Sequence, residues 1–164
     1  MSLLLSTPDR HALTGTVDVL RSWQSDRAPM QLHPGDLGWY ERHGTQRAAT
    51  AVRTWSRDGH VVAVALLDGP CLARLTLAPE LHADEAVAAA VATDLDGPGR
   101  GVLPAGPGYV EAPDGYALKP ALEARGWVVD EAWTPLSRQL AEPVADPGLQ
   151  VELVGPERAA DWSA

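Results

Sequence analysis

Hydrophobic positions in the middle of the chain fall in short runs that are cut by turn residues at short intervals. Thr50 to Arg57 and His60 to Leu67 are two such runs, and Asp58-Gly59 between them is a strong hairpin signal. Asp68-Gly69-Pro70 turns the chain again into Cys71 to Ala78, so three consecutive strands form an antiparallel meander. Upstream, Leu3 to Leu5 reads as a short first strand. Thr7-Pro8-Asp9 then opens a helix, with Thr7 as cap and Pro8 at its first position, and Leu13, Val17 and Leu20 repeat at helical spacing up to Trp23. The Gly- and Pro-bearing stretch Ala28 to Gly38 reads as loop, and Trp39 to Ala49 as a second short helix. Downstream come a helix over Asp84 to Leu95, a loop over Asp96 to Gly108 and a strand over Tyr109 to Ala112. A helix over Leu118 to Ala124 stops at Gly126, and strands are expected over Trp127 to Glu131 and Trp133 to Leu140.

Composition narrows the function classes. A chain of 164 residues with 45% hydrophobic content makes one domain with a good core, or one domain and a fragment of another. A formal charge of -9 with no basic stripe argues against a nucleic-acid partner and against anionic membranes. The longest apolar run, Val61 to Leu67, has the length of a strand and cannot span a bilayer, and no targeting segment opens the chain. One cysteine, Cys71, permits no internal disulfide and suits a reducing cytosol, so a cytoplasmic protein is expected.

Candidate chemistry concentrates in Cys71 to Leu95, read as strand, Pro-bearing turn and Ala/Val-rich helix. A helix N-terminus offers unpaired N–H groups and partial positive charge to an anion, and glycine lets phosphate oxygens come close. Here Glu85 and Val87 carry side chains at that junction, and Asp84 and Glu85 add negative charge that occupies the dipole. The stretch resembles the acetyl-coenzyme A binding core of the GNAT acetyltransferases, whose R/Q-x-x-G-x-G/A loop holds the cofactor pyrophosphate on backbone amides. Aligned on Pro79, the motif's basic position falls on His82 and its glycines on Glu85 and Val87. Leu122-Glu123-Ala124-Arg125-Gly126-Trp127 is similar to the family's Y-E-K-L-G-F, with Leu122 where the family has its general-acid tyrosine. Leucine donates no proton.

The resemblance covers residues 3 to 140. It implies an α/β (α+β) fold, a central mostly antiparallel mixed sheet of six to seven strands flanked by about four helices. It also implies that any acetyl-CoA would pair its pantetheine arm with the backbone where two central strands part, that the backbone of Leu77 would contact the cofactor, with amides near it stabilising the oxyanion, and that the degenerate positions His82, Glu85 and Val87 weaken its hold. The chain is further similar to the N-terminal half of tandem GNAT proteins. Residues 1–142 would be the GNAT-like domain, 143–148 a linker, and 149–164 the first strand and helix start of a second such domain, since Leu153 to Ala160 parallels Leu4 to Ala12 in its strand, Pro, acid, Arg and Ala.

Three functions are compatible with this reading. One is a non-catalytic domain, structural or regulatory for a catalytic GNAT partner in cis or across a homodimer. Another is an active acetyl-CoA-dependent N-acetyltransferase of a small-molecule amine. The last is a small-molecule sensor. Glu80 and Glu111 are candidate general bases, and Trp39 and Tyr40 candidate pocket walls. Arg74 is expected on a solvated face or in a salt bridge, Cys71 as a buried inert thiol, and Trp55, Trp127 and Trp133 as packing residues. His33, Asp36 and His43 match no metal-ligand spacing.

Overall fold

The computed structural model describes residues 3–26 and 32–133 and, beyond them, residues 136, 141, 143, 145–150, 152 and 155–158. The chain divides into two compact units, Met1–Trp133 and Thr134–Ala164. In the second, the described residues contribute one 3-10 turn over residues 156–158, closed by the Arg158 N–H on the Gly155 carbonyl at 3.0 Å. Leu149, Gln150 and Glu152 carry no regular structure, and the rest of the strand expected over Leu149 to Val154 lies outside the described residues.

The first unit holds a five-stranded mixed sheet in the order β1-β2-β3-β4-β5: β1 Leu4–Ser6, β2 Val52–Arg57, β3 His60–Leu67, β4 Leu72–Leu77 and β5 Tyr109–Glu111. The first four strands pair antiparallel, and β5 joins β4 in parallel. The meander β2-β3-β4 follows the short runs and the turn residues of the sequence. Asp58 at φ 52° and Gly59 at φ 80° supply the left-handed pair that a tight hairpin needs, and Arg57 opposite His60 closes it.

Helices cover both faces: α1 Leu13–Trp23, α2 Pro34–Tyr40, α3 Thr45–Ala51, α4 Glu85–Asp96 and α5 Leu118–Glu123. The central strand β3 is apolar on both sides and feeds two cores. Ala63 and Ala65 join Trp55, Leu75, Leu77, Val87, Val91, Leu95, Leu118 and Leu122 on the α4–α5 side. Val64 and Leu66 join Leu13, Leu20, Leu37, Ala48 and Val52 on the α1–α3 side. Burying Val87, Val91 and Leu95, each 2% exposed or less, contributes about 1.5–3 kcal/mol apiece and fixes α4 on the sheet. No described helix is long and apolar enough to cross a membrane.

Several expectations change. Pro34–Tyr40 is a helix, not loop. Pro34 occupies a first-turn position, where its missing N–H costs nothing, and His33 and Asp36 form a capping box around it. Helix α1 begins at Leu13 rather than at Pro8, and Thr7 does not cap it: Asp9 Oδ1 instead accepts from the His11 and Ala12 N–H groups in the preceding turn. Thr50 and Ala51 belong to α3, so β2 starts at Val52. The strand expected over Trp127 to Glu131 is not formed, which leaves five strands among the described residues instead of six to seven. Trp127 is tied to α4 instead, its Nε1–H on Asp96 Oδ1 at 3.4 Å, while Val128 and Val129 face solvent beside the acids Asp130 and Glu131. Of Trp133 to Leu140, Trp133 and Leu136 carry no regular structure and the others lie outside the described residues.

Candidate functional site

Beyond Arg74 the edge of β4 is left open, because β5 ends first. Their parallel pairing runs from Leu72 opposite Tyr109 to Arg74 opposite Glu111, and β4 then continues through Leu77 without a neighbour from β5. The hydrogen-bond alternation settles what faces that opening. Asp68 N–H reaches the Leu72 carbonyl (3.0 Å) and Ala78 N–H the Val62 carbonyl (2.9 Å), so even-numbered β4 residues turn their main-chain groups to β3. The odd-numbered ones turn towards β5: the Cys71 carbonyl accepts from Tyr109 N–H at 2.8 Å. Leu77, whose backbone is expected to contact the cofactor, therefore presents its main chain to the opening.

The chain's own side chains meet it there. His82 donates through Nε2 to the Leu77 carbonyl at 3.1 Å. Its ring stacks on Tyr116, with centroids 3.8 Å apart and planes at 23°. The Tyr116 hydroxyl lies 3.5 Å from Thr76 Oγ1, and the Ala117 N–H donates to the His82 carbonyl at 2.8 Å. Tyr116 is 3% exposed, and burial raises its phenol above the ordinary value of 10.0, against a smaller opposing effect of the Thr76 contact.

The N-terminus of α4 lies beside this opening. Its cap is Asp84, whose Oδ1 accepts from the Ala86 and Val87 N–H groups, both at 3.0 Å. The other oxygen faces Arg57 Nη1 from β2 at 3.4 Å. The Val87 N–H bond, the Ala86 N–H bond and Arg57 hold the Asp84 carboxyl below 3.8, with desolvation acting the other way. Two of the amides that a helix start offers to an anion are thus bound to a carboxylate of the same chain. Glu85 is exposed on the first turn. Val87 is 1% exposed in the α4–α5 core, so it excludes an anion through its engaged N–H and not through its side chain.

A groove of about 720 Å³ runs between the starts of α4 and α5, lined by Ala83, Glu85, Gly115, Tyr116 and Lys119 among others. Lys119 is paired with Asp114 at 2.7 Å, which raises its ammonium pKa. Leu122 is buried in the core and brings no polar atom to the groove.

The remaining candidates are dispersed. Arg74 is in ion pairs with Glu111 (2.9 Å), Asp36 (3.3 Å) and Asp68 (3.7 Å), tying together β4, β5, α2 and a turn. Glu111 is thereby engaged, and Glu80 is exposed on a 3-10 turn. His33 caps α2, while His43 meets Tyr40 edge-on. Trp39 is 67% exposed beneath Arg42, 4.1 Å from its ring centroid, and does not pack over the sheet. Cys71 is half-buried, not fully enclosed. Trp55 is fully buried, with its Nε1–H on Asp94 Oδ2 at 2.9 Å, whereas Trp133 is exposed. Among the described residues, no three His, Cys, Asp or Glu side chains converge as a metal-binding set.

Sequence reasoning missed Tyr116, Thr76 and Arg57. Their roles come from contacts 27 to 40 residues apart along the chain, and no local spacing encodes those. No protein-family model, curated protein or solved structure matches the chain.

Proposed function

We propose that the Met1–Trp133 unit is a GNAT-like domain that has given up catalysis and serves a catalytic partner domain, in cis or across a homodimer, as a structural or regulatory element. Three features support the family reading: a strand, helices, a three-strand meander, a helix and then a strand parallel to the last of the meander; the free edge of β4 beyond the end of β5; and the α4 start placed beside it. The observation that carries the loss of catalysis is the filling of both cofactor-binding features by the chain itself. Asp84 takes the Ala86 and Val87 amides, and His82 takes the Leu77 carbonyl. A pyrophosphate would have to displace a carboxylate of its own charge sign, and a pantetheine amide would have to displace the imidazole. The exposed apolar residues Val128, Val129 and Trp133 give a partner contact its chemistry.

Calorimetric titration of acetyl-CoA tests the proposal. The expected result is no saturable heat through the millimolar range; micromolar affinity would sink it. A second reading rests on Tyr116. Its phenol stays protonated at neutral pH and sits at the free edge of β4, where it could reprotonate a thiolate in place of Leu122. On that reading the domain acetylates a small-molecule amine, and thiol release from acetyl-CoA would accompany binding.

A further inference from the structure

At the opposite end of the sheet lies a second cavity. β2 runs parallel to β4, so the start of β2 lies at the end of the sheet away from the β4–β5 opening. There Arg53, the end of β1 and the turn after α4 enclose about 310 Å³. Arg53 is half-buried, with its Nε on the Gly101 carbonyl (2.7 Å) and its Nη1 on the Thr50 and Val52 carbonyls (2.8 and 2.9 Å). Among the described residues no carboxylate lies within ion-pair distance of it, while Arg57, Arg74, Arg100 and Arg125 all have one. In a chain of charge -9, a half-buried guanidinium without a counter-ion is the exception. Burial pushes its pKa down, the mark of a cation held partly out of water.

The rest of the wall fits an anion. Arg100 spends Nε on Asp94 Oδ1 at 2.6 Å, and its terminal nitrogens make no bond to the described residues. Ser6 and Thr7 border the same space. Gly99 and Gly101 also line it, and a Cβ placed at either meets nothing within 4 Å, so the loop leaves room for a ligand to lie against its main chain. The three carbonyls fix the Arg53 fork before any ligand arrives, which lowers the entropic cost of engaging it. We propose that this cavity binds the phosphate group of a small organic phosphate. Guanidinium donors from two elements, with Ser6 and Thr7 beside them, suit a tetrahedral oxyanion, and the volume exceeds that of bare phosphate while lying at the lower limit of ligand pockets.

The test is an amide NMR titration of the full chain with inorganic phosphate and with glycerol 3-phosphate, against sodium chloride and sodium acetate at matched ionic strength. Saturable shifts are expected at Thr7, Gly99 and Gly101, with glycerol 3-phosphate binding more tightly than phosphate. Arg53→Gln should weaken both about tenfold or more. Because Arg53 also ties three carbonyls, Gly99→Leu supplies an independent variant that fills the cavity without removing a hydrogen bond, and it should abolish binding with the remaining amide spectrum unchanged. Shifts reproduced by chloride or acetate would overturn the proposal. So would a Gly99→Leu variant that binds as the wild type does.

Discussion

Asp84 satisfies two amides of α4, faces Arg57 across the sheet and places a negative charge at the positive end of the helix. Each of these favours its ionised form, and the carboxyl sits below 3.8 in the folded chain. The consequence for stability has a definite sign. A depressed folded pKa contributes stability above the unfolded value, and that contribution is lost as pH falls through the folded pKa. Asp84→Ala should therefore lower the urea midpoint at neutral pH, and the gap between variant and wild type should narrow as pH falls below 3.8; a gap that does not narrow in acid would mean that the ionised carboxylate contributes nothing to the cap. The negative charge of this junction was legible in the sequence from Asp84 and Glu85. The division of labour was not: Glu85 faces solvent, Val87 is core, and the amides are taken by Asp84 alone. His82 was found through the resemblance as a basic position. Its contacts with the Leu77 carbonyl and the Tyr116 ring depend on folding that brings residues 34 apart into a stack.

Among the elements, the meander is where local signals and tertiary structure agree most closely. The runs Val52 to Arg57 and Val61 to Leu67, with the turn Asp58-Gly59 between them, specified the hairpin that the structure contains. Gly59, at φ 80°, is the position that depends on glycine. Gly59→Val should cost about 1–2 kcal/mol in urea denaturation with an unchanged m-value, and a neutral substitution would contradict the left-handed turn. Where signals compete, the sequence was harder to read. Pro34, Gly35 and Gly38 look like breakers, yet a proline in the first turn and a capping box build α2 from them. At the other extreme, Trp127 to Glu131 has strand-forming residues but gains no ladder partner, because Trp127 is drawn to Asp96 and the two valines are left in solvent. Propensity without a neighbouring edge does not make a strand.

For the whole molecule, the two ends of the sheet hold their charged groups differently. At the β4–β5 end, the carboxylate of Asp84 occupies the helix start and His82 with Tyr116 stands in the opening. At the other end, Arg53 holds a positive charge that no described carboxylate neutralises. A phosphate-bearing ligand should therefore discriminate between them, and the location of binding says more than its presence. The central claim is that the α4 start is closed to a cofactor pyrophosphate by the chain's own carboxylate. Its most direct test is the position of the Ala86 and Val87 amide resonances as acetyl-CoA is added. They should stay in place, whatever happens to the amides of Gly99 and Gly101; saturable movement of both with a micromolar midpoint would show that a ligand displaces Asp84, and the domain would then have to be read as a cofactor-binding one.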